Sequence, residues 1–135
     1  MSSAVIALRK ALRTRLIGDA ALVALLGGAK VYDEAPREAH VPYITFGDAL
    51  ARELSTTLYA GLEHFVVLHV WSIQGGAREA LEIAERVTAL LDDASLSLDT
   101  HRLINLRFVA LETVREDAGR FVRVALRLRA VTESF

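Results

Sequence analysis

The C-terminal part of the chain carries the pattern that most restricts its fold. Between residues 120 and 130 (RFVRVALRLRA), apolar residues alternate with arginine or alanine. This alternation predicts a β-strand, because successive side chains of a strand point to opposite faces of the sheet. One face of the strand therefore suits a core, and the other is rich in arginine. The apolar positions are Val122, Val124, Leu126 and Leu128, and the arginines are Arg123, Arg127 and Arg129.

A second predicted strand precedes this one and forms a hairpin with it. Residues 102–113 and 121–132 flank the turn Asp117-Ala118-Gly119, whose glycine suits the left-handed position of a three-residue loop. The predicted pairs are Thr113 with Arg123, Val109 with Arg127 and Arg107 with Arg129. This register separates apolar from polar residues, whereas a slip of one residue would mix them. The core face gains Ile104, Leu106 and Phe108, and the arginine face gains Asn105, Arg107 and Thr113.

Two helices are predicted at the N-terminus. Ser2 or Ser3 caps the first helix, which runs to about Leu16 with apolar residues at helical spacing. Asp19 caps a second, shorter helix that runs through Leu26, and the two glycines after it end that helix.

The middle of the chain predicts the centre of a sheet. Short strands are expected at Val31–Tyr32 and Tyr43–Gly47, and residues 49–62 indicate a long loop or an extended hairpin arm. The strongest strand, Glu63–Ile73, is apolar on both faces, which is typical of a central strand covered on both sides. A helix at Ala77–Leu91 follows. Its expected apolar stripe is Leu81, Ala84, Val87, Thr88 and Leu91.

The predicted order of elements is α-α-β-β-loop-β-α-β-β. This order, at 135 residues, favours a single domain over residues 1–135. It predicts an α+β fold in which a mostly antiparallel sheet carries its helices on one side.

The sequence offers little for catalysis or metal binding. It contains no cysteine, which excludes disulfides and thiolate chemistry. His64 and His69 share a strand but lie an odd number of residues apart, so they face opposite ways. There is no G-x-S-x-G motif, and the turn Gly75-Gly76 belongs to no phosphate-binding motif. We therefore predict no catalytic residue, no metal and no cofactor.

The sequence also gives no sign of a membrane segment. The longest run without a charged residue, His64–Ala77, has 14 residues, whereas a spanning helix needs about 20 apolar residues. Near the N-terminus, Arg9, Lys10 and Arg13 interrupt the apolar residues, whereas a secretory signal places its charge before an unbroken apolar core. We expect a protein that assembles in the cytoplasm.

The arginines allow three interpretations. The chain has 14 arginines and 2 lysines, yet its formal net charge is −1. The arginine face could bind nucleic acid, could simply be solvated, or could form an interface between subunits. We favour the interface, because interfaces are enriched in arginine and depleted of lysine. Arg107 opposite Arg129 would repel, and an acidic patch of a neighbouring subunit would relieve this. Candidate acidic residues are Glu79, Glu82 and Glu85.

Two stretches of the chain resemble a known family. The first runs from Lys30 to Asp48 (KVYDEAPREAHVPYITFGD) and contains Val31-Tyr32, Ala35-Pro36 and Pro42-Tyr43-Ile44. The second runs from Gly61 to Asp93 and contains Val70-Trp71-Ser72, then Gly75-Gly76 and a helix. With the arginine-rich hairpin that follows, this arrangement resembles the DUF3168 family, the tail completion proteins of long-tailed phages and gene transfer agents.

The resemblance implies a tail terminator, a structural protein of the virion. Such a protein forms a hexameric ring at the head-proximal end of the tail tube, where it stops tube polymerisation and joins the tube to the head-side stopper. Its implied partners are further copies of the chain, the tail tube protein and the stopper protein. DNA passes through the channel, so the resemblance also implies transient, non-specific contact with DNA. The expected mechanism is binding rather than catalysis.

Two alternatives remain open from the sequence. One is a head-tail stopper or another connector protein, and the other is a small ligand-binding or enzymatic α+β domain. For the terminator we expect a contact surface toward other subunits or the tail tube, formed by the segment before the central strand and by the arginine face. Its candidate residues are Arg52, Glu53, Leu54, Thr57, Tyr59, Arg107, Arg123, Arg127 and Arg129.

Overall fold

A computed structural model describes residues 3–54, 60–73 and 75–134. Within these ranges the chain forms three helices and five strands, in the α+β class that the sequence predicts. The helices are α1 (Ala4–Ile17), α2 (Ala20–Leu26) and α3 (Ala77–Leu91). The strands are β1 (Val31–Tyr32), β2 (Tyr43–Glu53), β3 (Gly61–Ile73), β4 (His101–Glu116) and β5 (Phe121–Ser134).

The five strands form one sheet in the order β1-β2-β3-β5-β4. β1 pairs with β2 in parallel, and every other neighbouring pair is antiparallel. The helices pack on one face of the sheet, where the even-numbered residues of β3 and β5 meet the apolar stripes of α1 and α3. The largest side chains of this core are Leu8, Leu12, Leu16, Leu22, Leu26, Ile44, Leu68, Ile83, Leu91, Leu106, Leu126 and Leu128.

The predicted helix ends are confirmed. The Ser3 side chain accepts a hydrogen bond from the Ile6 N–H (3.4 Å), and the Asp19 side chain accepts one from the Leu22 N–H (2.9 Å). Gly27 ends α2 with a φ of 78°, a left-handed conformation that glycine adopts without steric cost. These contacts are local, which is why sequence alone identifies them.

Two predictions about the middle of the chain are wrong in part. The strand expected to end at Gly47 runs on to Glu53, so the hairpin arm, not the long loop, describes residues 49–53. A bulge between Phe46 and Ala49 shifts the register with β3 and hides the alternation. On α3, Leu81 is exposed, and the core stripe is instead Ala80, Ile83, Ala84, Val87, Leu90 and Leu91.

The C-terminal hairpin forms as predicted, but its register near the turn is wrong by one residue. Glu116 pairs with Phe121, so the loop has four residues, 117–120, and Thr113 pairs with Val124 rather than with Arg123. A bulge between Phe108 and Ala110 absorbs the extra residue and restores the predicted pair of Arg107 with Arg129. Thr113 therefore lies on the helix side of the sheet. Phe108 and Ile104, which we assigned to the core, are both partly exposed.

An ion pair ties α2 to α3. The guanidinium of Arg86 donates to both carboxylate oxygens of Asp19, at 2.8 Å and 2.6 Å. With the Leu22 N–H, this pairing lowers the pKa of Asp19 from 3.8 to about 2. Because the folded-state pKa is lowered, the stabilisation is present above pH 3.8 and is lost as the pH falls toward about 2.

We therefore expect Asp19→Asn to flatten the loss of stability at acid pH. Asparagine still caps a helix, so the change removes the titrating charge and keeps the cap. Urea unfolding at a series of pH values should show wild type losing more stability than Asp19→Asn between pH 3.8 and about 2. Glu85→Gln, at an exposed carboxylate of α3, serves as control and should follow wild type. If Asp19→Asn loses as much stability as wild type over this pH range, the loss does not come from the Asp19–Arg86 pair.

Candidate assembly surface

The side of the sheet opposite the helices, here called the open face, is rich in apolar and aromatic residues. On β3 it presents Phe65, Val67, His69 and Trp71, all half-buried. We expected β3 to be covered on both faces, but among the described residues the helices cover only the other face. The cover predicted for the second face is therefore not supplied by the described part of this chain, and the apolar character of the open face is left to be explained.

Arg123 organises one end of the open face. Its guanidinium donates to Oε1 of Glu116 through Nε (2.9 Å) and Nη2 (2.7 Å), and Nη1 lies 3.1 Å from Nδ1 of His69. It also lies 5.8 Å from the ring centroid of Trp71, within the range of a cation–π contact. The Trp71 indole N–H donates to the Thr45 hydroxyl (3.0 Å). Burial, with the charges of Arg123 and Arg127, lowers the pKa of His69.

A single carboxylate organises the other end. Glu63 is only 6% exposed although it lies on the open face, because two arginines enclose it. Arg52 on β2 donates to Oε1 (2.6 Å), and Arg129 on β5 donates to Oε2. These two hydrogen bonds lower the pKa of Glu63. The carboxylate thus joins three neighbouring strands and neutralises part of the arginine charge.

The like-charge pair of Arg107 and Arg129 is relieved within the chain. Arg129 is bound to Glu63, and Arg107 lies 3.4 Å from Asp92, which follows α3 at the edge of the sheet. The repulsion expected between these two arginines therefore needs no acidic patch of another subunit to relieve it. Arg123 and Arg129, which we expected to meet an external acid, also have carboxylate partners in the chain.

Arg127 differs from the other arginines of β5. It is exposed, opposite Val67 of β3, and has no hydrogen bond or ion pair within the described residues. Arg123 and Arg129 flank it on the same strand and are both paired. Of the predicted arginine row, Arg127 is therefore the member whose charge remains available to a partner.

The basic N-terminal helix is held by contacts within the chain. Lys10 pairs with Asp99 (2.9 Å) and Arg9 with Asp33 (3.3 Å). Arg13 and Arg15 donate to the backbone carbonyl oxygens of Val31 (3.0 Å) and Leu90 (3.4 Å), respectively. These contacts fix α1 to β1, to α3 and to the loop before β4, so the charge of α1 serves the fold.

Comparison with known proteins identifies the family of this chain. The family model described as tail completion protein gp17 matches residues 10–133. The chain belongs to this family. It is thus a structural tail protein, as the sequence resemblance indicated.

Solved structures agree with the family assignment. A chain from the virion of a native gene transfer agent particle matches with a TM-score of 0.90 and 30% identity, over 99% of this chain and 100% of that chain. A second solved chain matches with a TM-score of 0.63 at 14% identity, over 99% of this chain and 97% of that chain, and shows the fold alone. A comparison with curated protein sequences gave no match.

The structure distributes the predicted contact residues over three places. Arg52 and Glu53 end β2 with Leu54 beside them, and Arg107 lies on β4, so these four are at the two sides of the sheet. Arg123, Arg127 and Arg129 lie in its middle. Thr57 and Tyr59 are outside the described residues. Sequence reasoning missed three members of the surface, namely Phe65, Trp71 and Val109, although the apolar odd positions of β3 were a signal for two of them. Leu50 lies within the segment predicted to make contact.

Two classes of site find no support among the described residues. They contain no group of three or more His, Asp or Glu side chains arranged to hold a metal ion. They contain no helix long and apolar enough to cross a membrane.

Proposed function

We propose that the chain is a ring-forming tail terminator, which caps the head-proximal end of the tail tube, stops its polymerisation and joins it to the head-side connector. The observation that carries this proposal is the structural match, over essentially the whole of both chains, to a component of a gene transfer agent virion. Membership in the tail completion family supports the same role.

The proposed partners are six copies of the chain in a ring, the tail tube protein and the head-tail stopper protein. The protein would assemble in the bacterial cytoplasm and remain in the virion, at the head-proximal end of the tail. Its mechanism is binding and capping rather than catalysis. DNA would pass through the ring and make transient, non-specific contacts with it.

The surface of the chain suits a subunit that works only in an assembly. The central strand is apolar on its open face as well as on its core face, and exposed apolar residues recur on β2 and β4. Contiguous exposed apolar surface marks sites of protein association. The open face also combines tryptophan, phenylalanine and arginine, which are enriched in protein interfaces.

Ring formation can be tested on the purified chain. Size-exclusion chromatography with light scattering, followed by negative-stain imaging, should show rings, either free or at the ends of purified tail tubes. Mixing the chain with growing tubes should also stop their extension. A stable monomer that never joins a tube or tail particle would contradict the proposal.

A further inference from the structure

β2 and β4, the long strands at the two sides of the sheet, each have one protected part and one unprotected part. β1 pairs with β2 only at Ile44 and Thr45, which leaves residues 46–53 without a neighbour among the described residues. On β4, the segment after α3 protects the first half. Asp93 N–H donates to Leu106 O (2.7 Å), and Phe108 N–H donates to the Asp92 carboxylate (2.8 Å). Residues 109–116 have no such cover in the described part of the chain.

Each unprotected segment also exposes large apolar side chains, beside charged residues that are exposed as well. Leu50 on β2 is 58% exposed, and Val109 and Leu111 on β4 are 54% and 38% exposed. Proteins usually blunt an exposed edge strand with proline, with charged residues (lysine above all) or with a bulge, or cover it, because its unpaired N–H and C=O groups bind other strands. Neither segment contains proline or lysine. Each begins at a bulge and carries charged residues, yet its outward N–H and C=O groups have no partner among the described residues. Both are therefore edges at which another strand can pair.

We propose that residues 109–116 of one copy pair with residues 46–53 of the next, so that the sheet continues around the ring. The inference rests on the proposed function, because it takes the partner to be a second copy in a closed ring. A rotation about the ring axis preserves strand direction, and β2 and β4 run in opposite directions within one sheet. The new pair is therefore antiparallel, and the contact is heterologous, as a ring requires.

Alignment of the two segments at their centres places Leu50 opposite Glu112. In this register, residues whose backbone N–H groups point outward from the two segments also lie opposite each other. Leu54 N–H donates to Gly61 within the sheet, so strand alternation turns the N–H groups of Ala51 and Glu53 outward. Phe108 N–H points outward, and the bulge at Val109 moves the outward positions to Leu111 and Thr113. Outward groups then face each other, Ala51 with Leu111.

The geometry of the sheet suits closure. The centre of the β4 segment lies level with His69 and Val70 on β3, and the centre of the β2 segment lies level with Phe65 and Val66. Neighbouring copies are thus offset by about four residues over four strands. With rises of about 3.3 Å per residue and spacings of about 4.8 Å, the strands tilt by about 35°, which is the tilt of closed barrels. Six copies then enclose a channel about 45 Å across, measured between strand backbones.

The direction of the offset decides which face lines the channel. β3 and β4 run parallel and are joined through α3 with β5 between them, a connection that is right-handed in proteins. Strands of closed barrels incline in one sense, set by the right-handed twist of β-strands. The right-handed connection and this inclination are compatible only when the helices lie on the outside of the ring. The open face then lines the channel, and Arg127 of every copy points toward the DNA that the proposed function places there.

Cysteine cross-linking tests the strand pair directly, because the chain has no cysteine of its own. Leu50→Cys is combined in turn with Ala110→Cys, Glu112→Cys and Val114→Cys, which lie on the same side of the sheet. Opposed residues of neighbouring strands lie within disulfide range. Oxidation of assembled rings should link most of the Leu50→Cys, Glu112→Cys chains into a ladder of multiples on denaturing gels. The matched control, Ile6→Cys with Ile73→Cys, joins two exposed apolar positions outside the segments and should stay monomeric on the gel.

The outcomes separate this inference from the proposed function. Rings that form normally but cross-link in none of the three combinations would overturn the strand pairing and leave the terminator role intact. Absence of rings under every condition, with and without tail tubes, would overturn both. A ladder that appears equally in the control pair would also overturn the pairing, since it would reflect random collision.

Discussion

Two variants that each lack one sheet edge are expected to stay monomeric alone and to form dimers, and nothing larger, when mixed. Thr113→Pro removes an outward N–H from the unprotected segment of β4, and Ala51→Pro removes one from that of β2. Proline is tolerated in edge strands where the lost N–H faces solvent, so both chains should fold. Each variant keeps one intact edge. A mixture can therefore make one intact contact, after which two blocked edges remain.

Light scattering of each variant and of their equimolar mixture, under conditions in which the wild-type chain forms free rings, measures this result. Thr113→Val and Ala51→Val keep the N–H group and are the matched controls, so each should still form rings. Circular dichroism melts confirm that the proline variants are folded. Rings formed by either proline variant alone would contradict the edge contact, and so would a mixture of two folded variants that stays monomeric.

The sequence predicted those parts of the fold that depend on neighbouring residues. Ser3 and Asp19 cap their helices, and Gly119 adopts a φ of 84° in the hairpin turn, because each choice is made within a few residues. The bulges at Gly47 and Val109 were not predicted. A bulge inserts one residue and reverses the alternation beyond it, so a strand that continues looks like one that ends.

The surface was less predictable, because its contacts join residues distant in sequence. The enclosure of Glu63 by Arg52 and Arg129 depends on the order of β2, β3 and β5 in the sheet, which no local pattern contains. The apolar odd positions of β3 did indicate cover on a second face. The sequence could not say whether that cover comes from the chain itself or from an assembly, since burial by either favours the same residues.

The tails that form without this protein should have uncontrolled length. A terminator ring stops tube growth by occupying its end, so tubes lacking the ring continue to add subunits and offer no surface to the head. In cells that produce these particles, removal of the protein should give long tails of variable length and unattached heads. Wild-type protein supplied in trans should restore both defects, whereas Thr113→Pro should restore neither.

The length distribution of these tails in negative-stain images therefore tests the central claim most directly. We expect a broad distribution that extends to lengths far above those of the tails on complete particles. Tails of normal length beside heads that leak DNA would contradict it and would assign the protein to the stopper position instead.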